Sequence, residues 1–254
     1  MSPRGAFVAF AAALLTLLPQ ESAEGREGPS AAVDTARMDR AGELTRLSNP
    51  FDVMVAANMR GWESAIARSL ALDPAAAKLE ARYPGIGKTG IEAARPLARR
   101  YFEAFVTQAN RRTTQTLAER LSDDEIDELL RFYRSPLGRR AVKQAFANFD
   151  YAGVGREVAD GRARTGKAEI TMDQVKRQGD LAHLRAAPEF SAADHLAMMR
   201  FAQTPAARKF AAAREASERE ILQMVNSPDP DFIAAQTQAL RAAMIAFADS
   251  AKRP

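Results

Sequence analysis

"LSDDEIDELLRFYRSPLGRR", residues 121–140, is the most patterned stretch of the chain. Ser122 precedes three acids, Asp123, Asp124 and Glu125, and an apolar run follows them. Ser122 suits a helix N-cap, and Glu125 stands three residues on, the spacing of a capping box. Leu121 before the cap and Ile126 after the box have the spacing of a hydrophobic staple. Carboxylates in a first turn are stabilised by the positive end of the helix dipole, so the acids have a structural role already. Ile126, Leu129, Leu130, Tyr133 and Leu137 then recur at the helical period. Pro136 disfavours helix at Ser135 and ends the run near Arg134, while Ser135 and Pro136 suit the cap and first position of a second helix. Gly138 lets that helix pass close to a neighbour. The stretch reads as helix, Pro-marked break, helix.

A second passage has the same order. A shift of 69 residues lays "FSAADHLAMMRFAQTPAARKF" on the first, with Ser191 on Ser122, Arg200 on Arg131, Phe201 on Phe132, Pro205 on Pro136 and Arg208 on Arg139. Asp194 takes the box position of Glu125, and Thr204 replaces Ser135 as the cap before proline. Such self-similarity suggests one supersecondary unit used twice.

Working outward, the same punctuation recurs. Asn49-Pro50 should start a helix whose Phe51, Val55, Met59, Trp62, Ile66 and Leu70 form one apolar stripe. Asp73-Pro74 opens another, ended by Pro84-Gly85, and a third is expected from about Arg95 to Arg120. Thr171 with Gln174 forms a further capping box, and Asp229-Pro230 opens a last helix. No run alternates β-branched and polar residues in the manner of a strand. The expected fold is all-α, a multi-helix bundle built from two helix–break–helix pseudo-repeats.

The N-terminus carries a different signal. Arg4 precedes an apolar run, residues 5–18, that Pro19 ends and small and polar residues follow. This is the anatomy of a secretory signal peptide, shorter than the roughly 20 apolar residues of a membrane span. Cleavage is expected after Ala23 or Gly25. The expected organisation is a signal peptide at 1–25, a flexible or weakly helical segment at 26–47 and a helical domain with the first motif copy at 48–155. A loop at 156–169 and a helical region with the second copy at 170–254 complete it. The expected location is the periplasm or the secreted fraction, with no transmembrane span in the mature protein.

Composition narrows the chemistry. With no cysteine among 254 residues, disulfides, thiolate nucleophiles and thiolate metal sites are excluded. Removing residues 1–25 takes away Arg4, Glu21 and Glu24 and moves the formal net charge from +4 to about +5. The basic pairs Arg99-Arg100, Arg111-Arg112, Arg139-Arg140 and Lys176-Arg177 are dispersed among acids, which reads as solvated helix faces rather than a nucleic-acid footprint.

"FYRSPLGR", Phe132 to Arg139, with its acidic, Ser-capped lead-in, resembles the hallmark of the bacterial domain of unknown function twenty-fifty-nine: an aromatic pair, a spacer, Ser or Thr, Pro, a spacer, Gly and a basic residue. The second copy departs from it, with Ala202 for the second aromatic and Ala207 for the glycine. The resemblance spans about residues 95–155, with a degenerate echo at 170–220. It implies an exported helical protein and assigns no catalytic residue.

Candidate sites are few. "GIGKTG", residues 85–90, ends like a phosphate-binding loop, but Arg82 stands where its first glycine belongs, so it reads as a connection between helices. His183 and His195, with Glu189 and Asp194, lack single-helix metal-ligand spacing. The acids at 123–128 lack the alternation and central glycine of a calcium loop. No Gly-x-Ser-x-Gly elbow occurs. The expected catalytic, cofactor and metal residues are therefore none. Arg131, Phe132, Arg200 and Phe201 are the candidate binding groove, and Ser122, Glu125, Tyr133, Ser135, Pro136, Gly138 and Arg139 are the structural motif. The expected function is a non-catalytic binding or scaffolding module of the cell envelope, its partner unknown, an envelope protein or anionic polymer rather than nucleic acid. The alternatives are a periplasmic hydrolase using paired carboxylates and a chaperone-like binder of envelope proteins. An apolar groove would favour the binder; two inward carboxylates without cationic partners would favour the enzyme.

Overall fold

A computed structural model describes residues 35–251. Its regular elements are all helical: α1 (Thr35–Ser48), α2 (Phe51–Leu72), α3 (Pro74–Arg82), α4 (Ile86–Arg120), α5 (Asp123–Arg134), α6 (Pro136–Asn148), α7 (Tyr151–Thr165), α8 (Met172–Ala186), a 3-10 turn (Ala187–Glu189), α9 (Ala192–Ala202), α10 (Pro205–Val225) and α11 (Pro230–Ser250). The expected all-α bundle is what forms. The expected signal peptide lies outside the described residues.

The caps fall where the polar residues and prolines put them. Asp73 accepts the amides of Ala75 and Ala76, and Thr171 and Gln174 form their box. Asp229 caps α11, and Pro74, Pro136, Pro205 and Pro230 all stand in first turns. Each proline lacks an amide that the helix could not have bonded there.

The long α4 is the spine, with α1, α2, α10 and α11 packed on it. Its Phe102, Phe105, Val106 and Leu117 join Leu44, Trp62, Ile126 and Phe210 in one buried cluster. Trp62 is fully buried, and its indole N–H donates to Gln236 of α11 at 2.9 Å, so the polar edge of the largest core residue is satisfied.

Four expectations are corrected. The segment 26–47 is not weak from Thr35 onward: α1 is a full helix, burying Ala41 and Leu44 completely. The loop expected at 156–169 is helical through Thr165, and the glycine just before it, Gly155, serves packing rather than a turn. A Cβ on Gly155 would lie 2.1 Å from the carbonyl oxygen of Gly61, so α7 and α2 cross nearly backbone to backbone. The true connection begins at Gly166, whose φ of 76° is a left-handed C-cap suited to glycine. The connection read at 85–90 is only its first residue, Gly85 at φ 90°; Gly87 to Gly90 are already in α4, which also carries Pro96 internally. Finally, Asn49 does not cap α2. Its side chain instead accepts a 2.6 Å bond from the buried guanidinium of Arg214.

Candidate functional site

The motif at 121–140 is built as its residues dictate. The amide of Glu125 donates to Ser122 Oγ at 3.3 Å, and the amide of Ser122 donates to Glu125 Oε2 at 2.8 Å. Leu121 and Ile126 are both buried. Ser135 Oγ accepts the amide of Gly138 at 3.0 Å, and the Arg139 guanidinium bonds the carbonyl of Arg134 at the end of α5. Gly138 has a specific reason: a Cβ there would stand 2.1 Å from the carbonyl oxygen of Phe132. The close neighbour it tolerates is the last turn of α5 itself. Tyr133 is buried against Phe201 and Phe210, and burial pushes its hydroxyl up to about 12.

The acids diverge rather than converge. Asp123 meets Arg37 at 2.9 Å and Arg40 at 2.7 Å, both on α1. Glu125 meets Lys209 on α10, and Asp127 lies 3.8 Å from Arg40. The hydrogen bond from Arg37 is the largest influence holding Asp123 below the usual carboxylate range. Carboxylates each turned to a cation, with Asp123 and Asp127 sharing Arg40, are anchors between helices and form no acid–base pair.

Of the candidate groove residues, the fold brings two together. Phe132 and Phe201 stack face to face, with centroids 3.6 Å apart. Arg131 and Arg200 are exposed, the former bonding the carbonyl of Asp127. The phenylalanines fill the space between their helices. His195 bonds the carbonyl of Ala187 at 3.1 Å through a ring nitrogen, a local tie at the start of α9.

The concave site lies elsewhere. A cleft of about 770 Å³ opens between α2, α3 and the first turns of α4, reaching Ala152 of α7 and Met244 of α11. Leu70, Ile86, Ile91 and Met244 supply its bulk, and Ala67, Ala71, Ala76 and Ala77 leave the room. The short α3 buries none of its residues and stands as the outer wall. Glu80 holds it there, accepting the amides of Gly85 at 2.7 Å and Gly87 at 3.0 Å. Those bonds keep the Glu80 carboxyl below its ordinary value.

Every carboxylate at the cleft has a partner. Glu63 meets Arg95 at 2.9 Å, Glu92 lies 3.9 Å from Lys88, and Glu80 is held by amides. A second, polar cleft of about 560 Å³ is lined by Arg68 with Asp160 and Arg177 with Glu157, again as ion pairs. The buried pair of Arg214 and Glu218, 3.3 Å apart, borders a void of only about 10 Å³, room for a water at most.

Sequence reading missed the apolar cleft because its signal is weak. Ala67 and Ala71 stand one turn apart on the side that faces the alanine run of α3, and small residues look like ordinary helix formers.

Residues 108–147 match the family model DUF2059, described as an uncharacterized protein conserved in bacteria. This is the family whose hallmark residues 132–139 resemble. The match takes in the last part of α4, all of α5 and nearly all of α6. The matched segment thus holds the capped corner but neither the cleft nor residues 190–210. No curated protein and no solved structure matches the chain.

Proposed function

We propose that this protein is an exported, non-catalytic binding module of the cell envelope that holds a flexible apolar chain in the cleft between α2, α3 and α4. Export rests on the N-terminal sequence, Arg4 followed by the apolar run 5–18 and a small-residue cleavage region. Binding rests on the cleft, whose volume lies within the roughly 300–1,000 Å³ range of ligand pockets and whose walls are mainly aliphatic. The observation that carries the reading is the pairing of every carboxylate at its rim. General acid–base work needs a carboxyl held near the working pH, whereas Glu80 is held low; Glu63 is ion-paired with Arg95 at 2.9 Å.

The walls also favour the class of occupant. Helices spend their amides and carbonyls internally, so a peptide lying here would leave its own backbone groups without partners, at a cost of kilocalories each. An acyl chain has no such groups. Its polar head would sit among Arg60, Lys88 and Arg95.

Titration with cis-parinaric acid, a fluorescent long-chain fatty acid, tests this. Saturable binding at one site per chain is expected, lost in Ala71→Trp, which fills the cleft, while thermal unfolding stays at the wild-type midpoint. Binding that Ala71→Trp leaves intact would count against the cleft. No saturable binding would count against the function.

A further inference from the structure

Three side-chain contacts between α5–α6 and α9–α10 are reciprocal, although α5 packs on α10 more closely than α9 does on α6. Exchanging the two copies turns residue n into residue n + 69 and back again. Under that exchange Phe132 becomes Phe201, and the two rings stack on each other. Glu125, the box acid of the first copy, pairs with Lys209 of the second. Its image is Asp194, the box acid of the second copy, and Asp194 pairs with Arg140, the image of Lys209, at 2.7 Å. Both acids hold a second bond to their own cap serine, Ser122 and Ser191. One self-paired residue and two crossed, mutually exchanged ion pairs are the contact pattern of an isologous interface, in which residue i meets j and j meets i.

The departures have local causes. α9 ends at Ala202, the image of Tyr133, whereas α5 continues to Arg134, so the second corner is one residue looser and accommodates Ala207 where the first demands Gly138. Tyr133 lies 5.6 Å from Phe210, a ring contact whose image pairs two alanines, Ala202 and Ala141. Each copy carries a core aromatic that the other lacks, Tyr133 in the first and Phe210 in the second.

We propose that α5–α6 is a self-complementary pairing unit, that α9–α10 is its second copy, and that the partner this face fits is another copy of itself. Each copy carries one acid, one base and a ring placed so that the same set on another copy satisfies it. Within this chain the second copy occupies that place. With the second copy disabled, the α5–α6 face pairs with the α5–α6 face of another chain, Glu125 against Arg140 twice and Phe132 against Phe132.

Phe201→Asp in the full chain tests this by sedimentation equilibrium across increasing protein concentration. Its mass is expected to rise towards twice that of the wild type, and adding Arg140→Glu should return it to the wild-type value, while Lys209→Ala should not. A mass that stays at the wild-type value, with helix content intact by circular dichroism, overturns the proposal. So does association that ignores Arg140→Glu, since that is unspecific sticking. Should Phe201→Asp lose helix, Phe201→Ala is read in its place with the same outcomes.

Discussion

The ring of Phe132 lies flat on that of Phe201, its plane within 5° of parallel, and joins α5 to α9 across 69 residues of chain. Both side chains are half-buried, and Tyr133 meets Phe201 edge-on at 6.3 Å. Area burial drives this contact, and ring geometry adds to it.

Phe201→Ala should therefore lower stability by about 1–3 kcal/mol, less than the loss at a fully buried phenylalanine. A double-mutant cycle with Phe132→Ala should show coupling of about 0.5–1.5 kcal/mol in urea denaturation. Strictly additive losses would mean that the rings stabilise nothing jointly.

The corner between α5 and α6 should rank its residues in an order that the sequence alone does not give. Gly138→Ala forces a Cβ onto the Phe132 carbonyl and should cost the most, roughly 1–3 kcal/mol or more. Ser135→Ala and Ser122→Ala each lose a cap, about 1 kcal/mol. Pro136→Ala should cost the least, because the Ser135 cap and the Arg139 bond to the Arg134 carbonyl hold the break without it. Thermal midpoints of the four variants check the order, and a Pro136→Ala variant that melts lowest would show that proline alone makes the break.

Where α7 crosses α2, Gly155→Ala should be among the most damaging single changes. The added methyl would meet the Gly61 carbonyl, and both helices would have to separate along their shared length. A loss of roughly 1–3 kcal/mol or more is expected in denaturant unfolding. Gly161→Ala on the same helix would meet only the Lys167 carbonyl, at an unstrained 4.0 Å, and should be neutral or slightly stabilising through helix propensity. Equal effects at the two positions would refute the close crossing.

These cases show what the sequence could reveal. Caps are local: a serine, an acid three residues on and a proline act within one turn, so Ser122, Ser135, Thr171, Ser191 and Asp229 were legible without any fold. Helix crossings are not. Gly155 looks like a loop residue until Gly61 arrives from 94 positions away, and the helix that crosses there runs on through Thr165. Asn49 looked like a cap because its partner, Arg214, stands far along the chain. The cleft was invisible on the same grounds, since its walls come from five helices and its emptiness belongs to no residue. The pairing of Phe132 with Phe201 was half legible: the two residues could be matched by the shift, but not that they would meet.

The wall of the cleft should respond to pH through Glu80. Its bonds from the Gly85 and Gly87 amides set its carboxyl below the ordinary 4.5, so the folded protein holds this proton less tightly than the unfolded chain. The stabilisation is therefore present above about pH 4.5 and is lost as pH falls through the folded value. Glu218 has the opposite sign. Burial, only partly offset by Arg214, raises its carboxyl, so its contribution is present at low pH and fades as pH rises past 4.5. The two can be separated because only Glu80 faces the Gly85 and Gly87 amides. The proton shifts of those amides should titrate with a midpoint below 4.5 in NMR spectra, and Glu80→Gln should abolish that step while leaving the Glu218 transition in place. At neutral pH the same variant should free α3, so that trypsin cuts after Arg82 several-fold faster than in the wild type. Unchanged cleavage would mean that α3 is held by its contacts with α2 and not by this carboxylate.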